Sequence, residues 1–200
     1  MNLPNKLTIA RICLVPAIIL ISLFPYAQFN IQVYTFYVGG IAGVSLSLVN
    51  LIVLLVFVIA SITDFVDGYL ARKNNMITTF GKFADPIADK LLVNTMLILF
   101  ASQGIIPVLP VIIMVLRDTI VDGCRLIAAS NGVVVAADFM GKLKTVLQMI
   151  TIILILLNNL PFELYRLPVS DLLLWFTSFI SVAGGVSYFN QLKEYVFESK

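Results

Sequence analysis

Residues 43–63 contain no charged side chain, and the first charge after them is Asp64. A helix needs about 20 mostly apolar residues to cross the hydrocarbon of a bilayer, so this run has the length of a membrane span. Comparable apolar segments occupy 7–24, 86–102, 107–129, 143–158 and 172–189. Composition agrees: 60% of residues are hydrophobic, 12% are charged and the mean hydropathy is +1.02, which is wrong for a water-soluble globule. The expectation is an all-α integral membrane protein of six transmembrane helices, folded as a single domain over residues 1–200. No small-residue cleavage site follows the apolar segment behind "MNLPNKLTIAR", so that segment is read as a retained first span.

The basic residues predict the orientation. Every Lys and Arg except Arg166 belongs to the N-terminus, the second and fourth connections, the helix halves beside them, or the C-terminus. Lysine and arginine collect on the cytoplasmic side of membrane proteins. Both termini and the Asp-rich connection are therefore expected in the cytoplasm, in a multi-pass protein of the cytoplasmic (inner) membrane. Lysines on that face also suit anionic headgroups and phosphate-bearing substrates. No nucleic-acid partner is expected.

The chain has no histidine, which removes imidazole catalysis and His-ligated metals. Cys13 and Cys124 lie in apolar surroundings far apart in sequence, which points to packing rather than a disulfide or a thiolate metal site. Any chemistry must run on carboxylates, hydroxyls, amines and guanidinium groups.

Carboxylates are where such chemistry is concentrated. "SITDFVDGYLARKNN" ends the second apolar segment and "FGKFADPIADK" opens the third. On helices, Asp64 and Asp67 are three apart and Asp85 and Asp89 four apart, so each pair lies on one face, and antiparallel neighbours would aim the pairs at each other. Single aspartates at helix ends are commonly caps or lysine partners. Four at two helical spacings repel one another and need cations. Oxygen-only donors suit Mg²⁺ first, then Mn²⁺ or Ca²⁺. Gly68 and Ala71 leave a flat strip where a ligand could approach, and Arg72 adds a fixed cation. Such an assembly suits a diphosphate neutralised by two metals and a guanidinium, with a carboxylate left over to take a proton from an attacking hydroxyl.

Asp64, Asp67, Gly68, Ala71, Arg72, Gly81, Asp85 and Asp89 spell DxxDGxxAR, eight intervening residues, then GxxxDxxxD. This resembles the signature of the CDP-alcohol phosphotransferase family at every position. Members are six-span membrane enzymes, usually homodimers, in which an alcohol displaces CMP from a CDP-linked lipid or alcohol. The resemblance implies that Asp64, Asp67 and Asp85 hold two metal ions, with Asp89 as general base and further metal ligand. It also implies that Gly68, Ala71 and Arg72 line the CDP site and that Thr78 reaches a phosphate.

The flanks bear on the acceptor. Asn5, Thr8 and Arg11 share one helix face, either as ligands or as an interfacial anchor in which Lys6 and Arg11 reach the headgroups. As ligands, Asn5 and Thr8 are expected on the CDP-linked lipid and Arg11 on the acceptor. Arg117, Asp118, Asp122 and Arg125 form one polar arc on an otherwise apolar helix; Arg117 lies about 15 Å in from Pro107 at helical rise. A guanidinium at that depth must face a cavity or a partner. Part of the arc is expected to pair with itself. Lys142 and Lys144 open the fifth segment, where cations oppose the helix dipole unless they bind anions.

"NLPNKLTIARICLVP", the Arg117-Asp118 pair with Arg125, and "GKLKTVLQ" resemble the branch of the family whose acceptor is sn-glycerol 3-phosphate, although Asp118 stands where that branch is expected to carry Glu. That branch takes its phosphatidyl group from CDP-diacylglycerol. Arg117, Lys142, Lys144, Arg125 and Arg11 would then hold the acceptor's phosphate. Alternatives are another acceptor (inositol phosphate, serine or a second lipid) or, in a different class, a cation-coupled transporter, since intramembrane carboxylates also mark ion paths. Against the transporter, the aspartates cluster at one end of two segments and no inverted repeat is visible.

Overall fold

The computed structural model describes residues 3–39, 43–73, 79–130 and 139–197, and the side chains among them outside 3–4, 65–86, 130, 192 and 194–197. Six long α-helices account for most of the described residues: α1 Leu3–Leu23, α2 Leu48–Lys73, α3 Thr79–Ser102, α4 Val108–Ser130, α5 Phe139–Leu156 and α6 Val169–Phe197. Asn5–Leu23, Phe139–Leu156 and Val169–Gln191 are long and apolar enough to cross a membrane by length and composition, and Leu48–Asp64 is a shorter apolar stretch.

The six helices match the six apolar segments in number, but they run past them. α3 begins at Thr79, not Pro86, and α6 continues to Phe197. Apolar length measures only the part of a helix inside the hydrocarbon, whereas the backbone ladder continues wherever no residue interrupts it.

The purely helical expectation needs one correction. Residues 43–47 do not belong to the second helix. Val44–Ser47 (β2) pairs antiparallel with Thr35–Val38 (β1), in the register Thr35 to Ser47 and Val38 to Val44. "TFYV" and "VSLS" are rich in β-branched, aromatic and alternating residues. β2 buries Val44 and Leu46 and leaves Ser45 outward, while every residue of β1 is exposed. Gly39 ends β1 at a φ of 101° and a Cβ there would lie 2.4 Å from Leu164 Cδ2, so only glycine fits. Ser47 then starts α2, because its Oγ accepts the Val49 N–H at 3.2 Å.

Two helix ends close in the same way. At the end of α3 the Ile105 N–H reaches Phe100 O and the Gly104 N–H reaches Ala101 O, with Gly104 at φ 71°. After α5 the Asn159 N–H reaches Leu154 O and the Asn158 N–H reaches Ile155 O, with Asn158 at φ 53°. Both are left-handed caps that satisfy terminal carbonyls, one with glycine and one with asparagine.

The chain divides into two compact units, Met1–Leu99 with Ile152–Pro168, and Phe100–Thr151 with Val169–Lys200. In the first, α1 packs on α2. Asn5, Thr8, Arg11, Val15 and Ile18 form the buried face of α1, and Val53, Phe57 and Ala60 are buried on α2. In the second, α4 packs on α6, and Val111, Met114 and Val121 of one and Leu174, Thr177 and Ser181 of the other are buried. Cys124 is buried as expected of a packing residue, but Cys13 is exposed. Large apolar side chains such as Leu55, Leu116 and Phe179 point outward. An apolar outer surface on helices whose backbone bonds are internal is what a hydrocarbon environment requires.

The connection after α5 is held by buried Asn159, whose Nδ2 donates to Glu163 Oε2 at 2.9 Å and to Leu167 O at 2.7 Å. Asn159→Ala removes that donor and leaves a carbonyl without its partner. It should lower unfolding stability by about 1–3 kcal/mol, read as a reduced thermal midpoint in detergent.

Candidate active site

The DxxDGxxAR residues lie on one continuous helix, α2, and the GxxxDxxxD residues on another, α3. The helical spacing expected of Asp64 with Asp67 and of Asp85 with Asp89 is therefore present in the backbone. The side chains of Asp67, Gly68, Ala71, Arg72, Gly81 and Asp85 lie outside the described set, and Thr78 lies outside the described residues. Asp64 and Asp89 are described, and both are half-buried.

Asp64 sits where the apolar stretch of α2 ends, and its carboxylate oxygen Oδ1 accepts Arg11 Nη1 from α1 in an ion pair. Arg11 is 1% exposed while the Asp64 side chain keeps 33% of its surface open. A guanidinium that deep in an apolar helix requires a carboxylate partner. The neighbouring hydroxyls turn inward: Ser61 Oγ donates to Phe57 O at 2.9 Å and Thr63 Oγ1 to Ile59 O at 2.6 Å. Both serve the helix backbone and leave Asp64 as the outward polar group. Asn5 and Thr8 share the buried face of α1 with Arg11, while Lys6 is exposed. The anchoring role considered for this face therefore applies to Lys6 and not to Arg11.

The four carboxylates offer oxygen donors only, in a chain without histidine, and Asp64 already binds a cation in the form of a guanidinium. That donor set fits a hard divalent ion.

The second unit holds a different cluster. Asp118 on α4 is buried, and its two oxygens take two cations: Oδ1 accepts Arg117 Nη1 at 3.1 Å and Oδ2 accepts Lys144 Nζ of α5 at 2.5 Å. Arg117 Nε also donates to Ser181 O of α6 at 3.0 Å. Farther along α4, Arg125 Nε donates to Tyr188 Oη at 2.9 Å, with the guanidinium carbon 4.9 Å from the ring centre. Lys142 is exposed and Asp122 half-buried.

Of the basic residues expected at the acceptor phosphate, the structure brings Arg117 and Lys144 together on one carboxylate. Lys142 stands outside that group, Arg125 is held by Tyr188, and Arg11 is held by Asp64 in the first unit. The pairing of Arg117 with Asp118 is the part of the polar arc that was expected to pair with itself. Sequence reasoning did not anticipate Lys144 as the second partner, nor Ser181, Gly184, Gly185 and Tyr188 on α6. The Gly184–Gly185 pair of α6 packs against the Arg117 side chain.

A family model described as CDP-alcohol phosphatidyltransferase matches residues 1–183. A Bacillus subtilis protein named CDP-diacylglycerol–glycerol-3-phosphate 3-phosphatidyltransferase is 44% identical over 190 residues, covering 95% of this chain and 94% of its own. A Rickettsia bellii protein of the same name is 38% identical over 195 residues, covering 97% of each. One from Mycoplasma genitalium is 41% identical over 153 residues, 76% of this chain and 63% of its own. Since the family match runs through both units and both motif-bearing helices, the chain belongs to the CDP-alcohol phosphatidyltransferase family.

Proposed function

We propose that the protein transfers a phosphatidyl group from CDP-diacylglycerol to the primary hydroxyl of sn-glycerol 3-phosphate, giving phosphatidylglycerophosphate and CMP. The observation that carries this reading is the likeness, over nearly the full length of both chains, to relatives named for that transfer. The pairing of Arg117 and Lys144 on one buried carboxylate supports it, since an acceptor that is itself a phosphate ester calls for fixed cations. An acceptor without an anionic group would not.

In this reaction the acceptor oxygen forms a bond to the phosphatidyl phosphorus, the phosphorus–oxygen bond to CMP breaks, and the hydroxyl proton passes to Asp89. Asp89 suits that role as a half-buried carboxylate one helical turn beyond Asp85 on α3. Asp64, Asp67 and Asp85, joined by Asp89, would hold two Mg²⁺ or Mn²⁺ ions, which when bound neutralise the diphosphate charge. Arg11 keeps the Asp64 carboxylate in place from α1. Gly68 and Ala71 give the nucleotide close access to α2, Arg72 and Thr78 bind its phosphates, and Asn5 and Thr8 border the lipid-linked substrate. Arg117 and Lys144, flanked by Lys142 and Arg125, take the acceptor's phosphate.

All six helices span the cytoplasmic membrane in this reading, with both termini and the aspartates on the cytoplasmic side, where the basic residues collect. The working form is a homodimer, as is usual in the family.

Two measurements test the proposal. CMP release from CDP-diacylglycerol should be supported by sn-glycerol 3-phosphate and lost on chelation of divalent ions. Release with inositol phosphate, serine or a second lipid but not with glycerol 3-phosphate would replace the acceptor. Divalent-dependent flux without any product would replace the enzyme by a transporter. Asp89→Asn should keep CDP-diacylglycerol binding while lowering turnover by about 10²–10⁴-fold, the usual contribution of a general base; undiminished CMP release would remove Asp89 from that role.

A further inference from the structure

Asp118 has no assigned role in the reaction, yet it is a buried carboxylate that takes cations from both α4 and α5. It is buried, with the side chains of all three partners nearly closed to solvent: 14% exposed for Arg117, 9% for Asp118 and 4% for Lys144. Each of its oxygens serves a different cation, so one anion bridges two helices. The third helix completes the arrangement through its backbone, because Ser181 O of α6 accepts Arg117 Nε.

α6 also makes room for this geometry. A Cβ on Gly185 would lie 2.8 Å from Arg117 Cγ and 3.3 Å from its Nε, and one on Gly184 would lie 2.9 Å from Met140 Cβ and 3.3 Å from Arg117 Nη2. The two glycines thus form a notch through which the Arg117 side chain runs. The crowded atom at Gly185 is Cγ, close to the α4 backbone, so a side chain there cannot be avoided by a swing of the guanidinium alone.

Two like charges brought this close in a low-dielectric interior repel unless an anion stands between them. With Asp118 between them, Arg117 and Lys144 stay fixed and the cluster keeps one net positive charge. Fixed cations bind a phosphate without first being ordered, and a displacement of about 1 Å in a positioning group can cost about 10²-fold.

We infer that Asp118 is a positioning residue: it bridges Arg117 and Lys144 into a fixed cation pair that selects an acceptor bearing a phosphate, with the Gly184–Gly185 notch setting the place of Arg117. This rests on the proposed function, in which those two cations take the acceptor's phosphate. Asp118 itself does not touch the substrate.

The test compares glycerol 3-phosphate with glycerol as acceptors for the purified full chain in lipid–detergent micelles. The wild-type protein should prefer the phosphorylated acceptor strongly in kcat/KM. Asp118→Asn should raise KM for glycerol 3-phosphate about ten- to a hundredfold and shrink the preference accordingly, while KM for CDP-diacylglycerol and the rate with glycerol stay within about twofold. Asp118→Glu, which keeps the bridging charge, should recover most of the preference. Gly185→Ala, which crowds Arg117 but leaves every charge in place, should reproduce the Asp118→Asn pattern, and it decides the matter should Asp118→Asn fail to fold.

A wild-type protein with no preference between the two acceptors would overturn the acceptor reading itself. A wild-type preference that survives unchanged in Asp118→Asn, or in Gly185→Ala if only that variant folds, would overturn the positioning role alone. So would a variant that loses thermal stability and turnover with both acceptors equally, since that is what a purely structural ion pair produces.

Discussion

Burying a charge in an apolar helix is unfavourable by several kcal/mol unless an opposite charge is held against it, and the arrangement of this protein follows from where those partners are found. Arg11, deep in α1, is held by Asp64 at the end of the apolar stretch of α2. Asp118, deep in α4, is held by Arg117 beside it and by Lys144 from α5. Each pairing ties helices together and leaves ionic groups available inside a chain that is otherwise apolar. In a water-soluble enzyme such charges would be screened by solvent; in a bilayer they must either be paired or used, and in the proposed reaction these are both.

The two pairings do different work. The Arg11–Asp64 pair belongs to a carboxylate that keeps a third of its surface open, at a helix position where the nearby hydroxyls of Ser61 and Thr63 are turned into the backbone. That partial exposure leaves the Asp64 carboxylate surface for a second cation beside Arg11. Asp118 is closed on both oxygens, which suits a fixed bridge and not a ligand that must be released. The contrast separates the carboxylates proposed to meet the diphosphate from the one proposed to organise the acceptor's cations.

Much of the fold could be read from the chain because helix length and apolar length go together in a membrane protein. Six apolar segments correspond to six helices, and Gly104 in "QGIIP" and Asn158 in "NNLP" stand at the two left-handed caps. The hairpin could not be read this way. "VSLS" continues directly into an apolar helix, so hydropathy merges β2 with α2, and only pairing with "TFYV" distinguishes them.

The motif aspartates and their helical spacing were determined by the sequence alone, because residues three or four apart on one helix share a face whatever surrounds them. So was the membrane class, which follows from composition. Which cation stands on which buried carboxylate was decided only by the tertiary structure. Lys144 reaches Asp118 across 26 positions and Arg11 reaches Asp64 across 53. Coulomb attraction depends on distance through space, and periodicity within one helix carries no information about the approach of another.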